Sequence, residues 1–120
     1  SAANPVPLKS RLGDSCLDIG PLSTTIMNPC NGSNSQLWVF NSAGQIQSMG
    51  LSGQCLALDP SLAVLPCQGP NLDLVGQRWN AQPNGQITSV FGTCLSVLGS
   101  WVITDLCRPG DPGQEWDSAS

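Results

Sequence analysis

A chain of 120 residues with 13 glycines and 10 prolines has room for one core, and those residues work against long helices. Its four cations, Lys9, Arg11, Arg78 and Arg108, are scattered and the net charge is -4, which argues against nucleic acid and anionic membrane as partners. There is no histidine, so the commonest general base, the Ser-His-Asp and Cys-His arrangements and the usual zinc ligand are all missing.

In chain order, Ser1-Ala2-Ala3-Asn4-Pro5-Val6-Pro7 reads as a tail over residues 1–7 before the first strand, of the kind found at a mature N-terminus or left by cloning. Short apolar runs then predict strands at 9–12, 16–19, 25–28 and 37–40. A second group falls at 46–49, 55–58, 63–65 and 78–81, and a third at 87–91, 94–97, 101–106 and 115–117. Turn signals separate them: Gly13-Asp14, Asn31-Gly32, Ser42-Ala43-Gly44, Ser52-Gly53, Asp59-Pro60, Asn84-Gly85, Pro109-Gly110 and Asp111-Pro112. Asn31-Gly32-Ser33 also matches the N-glycosylation acceptor, but a tight turn suits the reversal needed after Cys30. The longest loop-like stretch is 68–76, and no apolar run approaches the length that spans a bilayer.

Three marks recur with a period of roughly 40 residues, the signature of an internally repeated fold. Gln-x-Trp appears as Gln36-Leu37-Trp38, Gln77-Arg78-Trp79 and Gln114-Glu115-Trp116. Each copy follows a cysteine pair: Cys16/Cys30, Cys55/Cys67 and Cys94/Cys107. Gly44-Gln45-Ile46 returns as Gly85-Gln86-Ile87. Six cysteines allow many pairings, but the repeat symmetry singles out the bridge within each unit. Such a bridge closes a short loop and contributes about 3 kcal/mol by chain entropy. No C-x-x-C spacing of zinc or redox sites occurs, and paired cysteines imply an oxidising, extracellular compartment. No metal or other cofactor is expected. Twelve short strands in three groups of four suit an all-β fold, the β-trefoil.

The units Cys16-Leu17-Asp18, Asn31-Gly32-Ser33-Asn34-Ser35-Gln36-Leu37-Trp38, Gly53-Gln54-Cys55-Leu56 and Gln77-Arg78-Trp79 resemble the ricin B-type lectin family. The resemblance runs from about Leu8 to Asp117. It implies one β-trefoil domain over 8–120, with repeats at about 8–46, 47–87 and 88–120. In length and acidity the chain is similar to small secreted actinobacterial, especially mycobacterial, members. The resemblance also implies a non-enzymatic glycan-binding function. The ligand would be a free glycan or a glycoprotein, with galactose-type sugars as one candidate.

In that family an Asp two residues after the first cysteine accepts bonds from sugar hydroxyls. An aromatic two residues before the second cysteine stacks on the ring, and an Asn before the glutamine adds polar contacts. Here the Asp position holds Asp18, Ala57 and Ser96; the aromatic position holds Asn28, Leu65 and Asp105; the third holds Ser35, Gly76 and Gly113. Only the first repeat keeps a partial set, so Asp18, Asn28, Asn34 and Gln36 are its candidate sugar contacts. Asp18 could equally be a carboxylate bonded to local backbone.

Trp38, Trp79 and Trp116 are expected in the core, where a buried indole N–H needs a partner. Trp101 lies outside the repeat, at a hairpin tip. It is a second candidate platform, with Asp105, Asp111 and Gln114 on the same unit, or else a cap packed against Val90 and Phe91. Two further readings remain. A protein-interaction trefoil with decayed sugar sites would use exposed loops such as 70–75. A glycoside hydrolase would pair carboxylates among Asp18, Asp105 and Asp111, though no spacing fixes two across a cleft.

Overall fold

The computed structural model describes residues 4–58, 61–68 and 75–118. The Asp59-Pro60 turn and most of the 70–75 loop lie outside the described residues.

Each repeat carries one long hairpin, and each hairpin begins at the strand holding the first cysteine. These are β3 (Ser15–Ile19) with β4 (Thr25–Pro29), β7 (Gln54–Leu58) with β8 (Leu62–Pro66), and β11 (Thr93–Leu98) with β12 (Trp101–Leu106). The remaining strands pair around the barrel: β5 (Leu37–Phe40) with β6 (Ile46–Ser48), and β9 (Trp79–Ala81) with β10 (Ile87–Ser89). Closure joins the first repeat to the last, because β13 (Trp116–Asp117) pairs with β2 (Lys9–Ser10). Arg11 reinforces the closure, reaching the Asp117 carboxylate and the Asn84 carbonyl, both at 3.0 Å.

All twelve expected strands are present, and one more precedes them. β1 (Val6–Pro7) pairs with β5 through Val6↔Trp38 and Pro7↔Leu37, so structure begins inside the stretch read as a tail. Leu8, between β1 and β2, is 1% exposed and plugs the core. β6 begins at Ile46 and β10 at Ile87.

The core is one residue set used three times. Leu17, Leu56 and Leu95 follow the first cysteines, Leu8, Ile46 and Ile87 open the repeats, and Trp38, Trp79 and Trp116 close them. Each indole N–H donates to the carbonyl of the leucine in its own repeat, Leu17, Leu56 or Leu95, at 3.2, 3.1 and 3.2 Å. The rings thus bury their area without stranding a polar group.

The glutamines act on the second cysteines. Gln36, Gln77 and Gln114 each donate to the carbonyl before that cysteine (Pro29, Pro66, Leu106) and accept from the N–H after it (Asn31, Gln68, Arg108). Three disulfides, Cys16–Cys30, Cys55–Cys67 and Cys94–Cys107, lie within the repeats as the symmetry requires. The Gly-Gln-Ile copies join neighbouring units. Gly44 and Gly85, at φ of +84° and +96°, turn the chain so that their carbonyls accept from the Trp79 and Trp116 N–H groups at 2.9 Å. Gln45 and Gln86 then donate to the carbonyl oxygens of the Gln77 and Gln114 side chains.

Candidate functional site

The hairpin strands carry the three equivalent positions, and the repeats differ there. In the first repeat Asp18 is 6% exposed. One carboxylate oxygen accepts from the Ile19 N–H at 2.7 Å; the other accepts from Asn28 at 3.0 Å and Gln36 at 3.1 Å. Burial pushes the Asp18 carboxyl up, but hydrogen bonds from Asn28, Ser35, the Ile19 N–H and Gln36 outweigh it and hold the group below its ordinary value. Asp18 is therefore an ionised anchor, bonded to local backbone as well as to side chains.

The four first-repeat candidates divide by what they face. Gln36 is 1% exposed and spends its amide on Asp18, Pro29 and Asn31. Asn28 is half-buried, and one amide hydrogen is fixed by Asp18; no other partner for its side chain is found among the described residues. Its carbonyl oxygen and second N–H can serve a ligand as acceptor and donor. Asn34 sits exposed on the 3₁₀ turn Asn34–Gln36, outside the Asp18 network. Asn31 accepts from the Ser33 N–H, which makes Asn31-Gly32-Ser33 a side-chain-closed turn.

The second and third repeats are built differently at these positions. Ala57 and Leu65 replace the polar pair of the second and line an open pocket of about 430 Å³ with Gly76, Gln77 and Phe91. In the third, Ser96 accepts from Gln114 at 2.9 Å, while Arg108 bonds Asp105 at 3.1 Å and Asp111 at 3.0 Å. The Leu106 N–H and then Arg108 hold Asp105 below its ordinary value; the Gly113 N–H and then Arg108 do the same for Asp111. Both carboxylates are committed to one guanidinium, and Asp18 belongs to a different repeat.

Trp101 is 52% exposed and opens β12 at the hairpin turn. It does not pack as a cap on Val90 and Phe91, which sit in the turn at the opposite end of β11. It lines a pocket of about 400 Å³ with residues of all three repeats, including Thr24, Leu62 and Thr104. Asp105, Asp111 and Gln114 are not part of that pocket. Sequence reasoning missed Arg108 as the group that fills the third repeat. The signal was there, since Arg108 lies three residues from both Asp105 and Asp111.

Three pseudo-symmetric units of four strands, each locked by its own glutamine, tryptophan and disulfide, define a β-trefoil of lectin type. A family model for the ricin-type beta-trefoil lectin domain matches residues 4–116, and the chain belongs to that family. An uncharacterized protein of Mycobacterium tuberculosis H37Rv is 39% identical over 98% of this chain and 79% of its own length. Alpha-galactosidase A of Aspergillus niger is 33% identical over 60% of this chain, but only 13% of the enzyme is covered.

Among solved structures, the β-trefoil lectin of the Vibrio vulnificus hemolysin/cytolysin, with N-acetyl-D-lactosamine bound, superposes with a TM-score of 0.78. It is 23% identical and covers 98% of this chain and 94% of that one. A non-toxic type II ribosome-inactivating-protein homologue from Momordica charantia, in complex with alpha-methyl-D-galactoside, gives 0.81 at 18% identity, covering 97% of this chain and 48% of that one. At these identities the likeness establishes the fold.

Proposed function

We propose that this chain is a secreted, non-enzymatic carbohydrate-binding domain whose working sugar site lies in the first repeat. The carrying observation is the Asp18–Asn28–Gln36 network, which pre-orients a half-buried amide with free hydrogen-bonding capacity. Family membership supports glycan binding, and the sugars bound to the Vibrio and Momordica lectins make galactose-type ligands the first to try. Three disulfides among the described residues support an oxidising, extracellular location. Cell fractionation with thiol trapping tests that location; a fully reduced cytosolic pool would contradict it.

A multivalent glycan array tests the function. The wild-type domain is expected to bind neutral glycans, and Asn28→Ala to fall to background with an unchanged circular dichroism spectrum. The alternative is a protein-binding trefoil, favoured by the loss of polar residues at Ala57 and Leu65. An empty array at high multivalency would support that alternative.

A further inference from the structure

The first repeat has no aromatic residue at position 28, and an exposed tryptophan of the third repeat lies on the strand beside it. Asp18 on β3 is paired with Ile26 on β4, and Ile26 is paired with Trp101 on β12. Directly opposed residues of antiparallel strands project from one face. Asp18, Ile26 and Trp101 therefore form a row across three strands, spanning two inter-strand spacings, about 10 Å.

The row grades from polar to apolar. Asp18 and Asn28 hold one end; Trp101 and the opposed Leu98, 60% exposed, hold the other. Its middle is shaped by Gly20. A Cβ there would stand 2.6 Å from Thr24 Oγ1 and 3.0 Å from Ile26 Cγ2, so these two side chains lie side by side over the bare glycine. Thr24 in turn lines the Trp101 pocket.

Trp101 is built as a fixed surface. Its backbone is paired on both sides, with Leu98 and with Ile26, and the adjoining Ser100 carbonyl accepts from the Met27 N–H at 2.8 Å. The pocket beside it is lined by Thr24, Ser61 and Thr104 together with leucine side chains, and no charged residue lines it among the described residues. The Thr24 hydroxyl donates to the Pro21 carbonyl at 2.8 Å, which leaves its oxygen lone pairs for a ligand O–H. A flat indole beside uncharged hydroxyls suits a neutral sugar ring with one C–H-rich face.

We infer that Trp101 serves as the platform of a composite site shared by the first and third repeats, and that its ligand is a neutral saccharide of at least two linked rings. One ring takes the Asn28 amide over Asp18; the next crosses Ile26 and stacks on Trp101. This rests on the first-repeat reading proposed above, and the test separates the two.

Isothermal titration of wild type, Asn28→Ala and Trp101→Ala would use methyl glycosides of galactose, glucose and mannose. N-acetyllactosamine, lactose, cellobiose and mannobiose supply the two-ring partners. Acrylamide quenching gives a second readout, because the other three tryptophans are at most 5% exposed and Trp101 dominates the accessible signal. For one disaccharide, wild type is expected to bind at least about tenfold tighter than to its single ring. Trp101→Ala should erase that advantage without changing single-ring affinity, Trp101→Phe should restore part of it, and the disaccharide should protect Trp101 from acrylamide. Unchanged disaccharide affinity in Trp101→Ala overturns the composite site and spares the first-repeat reading. Unchanged affinity of every ligand in Asn28→Ala overturns the first-repeat reading itself, and no binding by any probe overturns both.

Discussion

One amide and one indole per repeat carry most of the local order. The glutamine grips the backbone on both sides of the second cysteine, and the tryptophan two residues later grips the carbonyl after the first. Trp79→Ala is expected to cost about 3–5 kcal/mol in chemical denaturation, as deletion of a large ring from a packed core does. Trp101→Ala should cost about 0.5 kcal/mol, the scale of a surface change. Equal losses would place Trp101 in the core and end its candidacy as a platform. Asp18 makes a second prediction. Its folded carboxyl is held below the ordinary 3.8, so its stabilisation is complete above that value and is lost as pH falls through the lower folded value. Asp105 and Asp111 shift the same way. The unfolding midpoint should therefore fall as pH drops below 3.8. In Asp18→Asn this acid loss should be shallower, and an unchanged acid limb would show that the network does not stabilise the fold.

At the scale of elements, the hairpins depend on bridges and on close approaches. Non-reducing peptide mapping should recover Cys16–Cys30, Cys55–Cys67 and Cys94–Cys107; any bridge between repeats would contradict the symmetric arrangement. Replacing Cys94 and Cys107 together by serine should cost about 3 kcal/mol, since the bridge limits the unfolded chain. Gly50 marks a close approach. A Cβ there would stand 2.7 Å from Ser35 Cα, at the turn that delivers Gln36 to Asp18. Gly50→Ala is expected to destabilise by about 1–3 kcal/mol, and thermal denaturation checks it. An unchanged melting point would mean the turn relaxes freely.

The hairpins were legible because each strand is a short, largely apolar run with a cysteine or a glycine next to one end. Val6–Pro7 was not. A two-residue strand containing proline carries no periodic signal, and only its pairing with Leu37 and Trp38 reveals it. The Asp18 position was legible from the repeat and the Arg108 pairs from their spacing, whereas the burial of Gln36 depends on where neighbouring turns settle. The nearness of Trp101 to Asp18 was not legible at all. It follows from the single bridge Trp101↔Ile26, a long-range register that no local pattern encodes.

For the whole molecule, pseudo-threefold symmetry holds in the core and fails on the surface. The core constraints are shared by all three units, so one leucine, one aliphatic and one tryptophan recur in each. The equivalent hairpin positions differ instead: a polar cluster in the first repeat, a pocket of mixed polar and apolar lining in the second and an ion-paired surface in the third. The central claim is that one of these three, the first, binds sugar. Backbone amide chemical-shift mapping of the wild-type domain, titrated with N-acetyllactosamine and methyl galactoside, tests it most directly. Saturable shifts are expected centred on Asp18, Ile19 and Asn28, with the second- and third-repeat equivalents around Ala57 and Ser96 unmoved. Shifts centred on Ala57 or Ser96 instead, or none at saturating sugar, would contradict it.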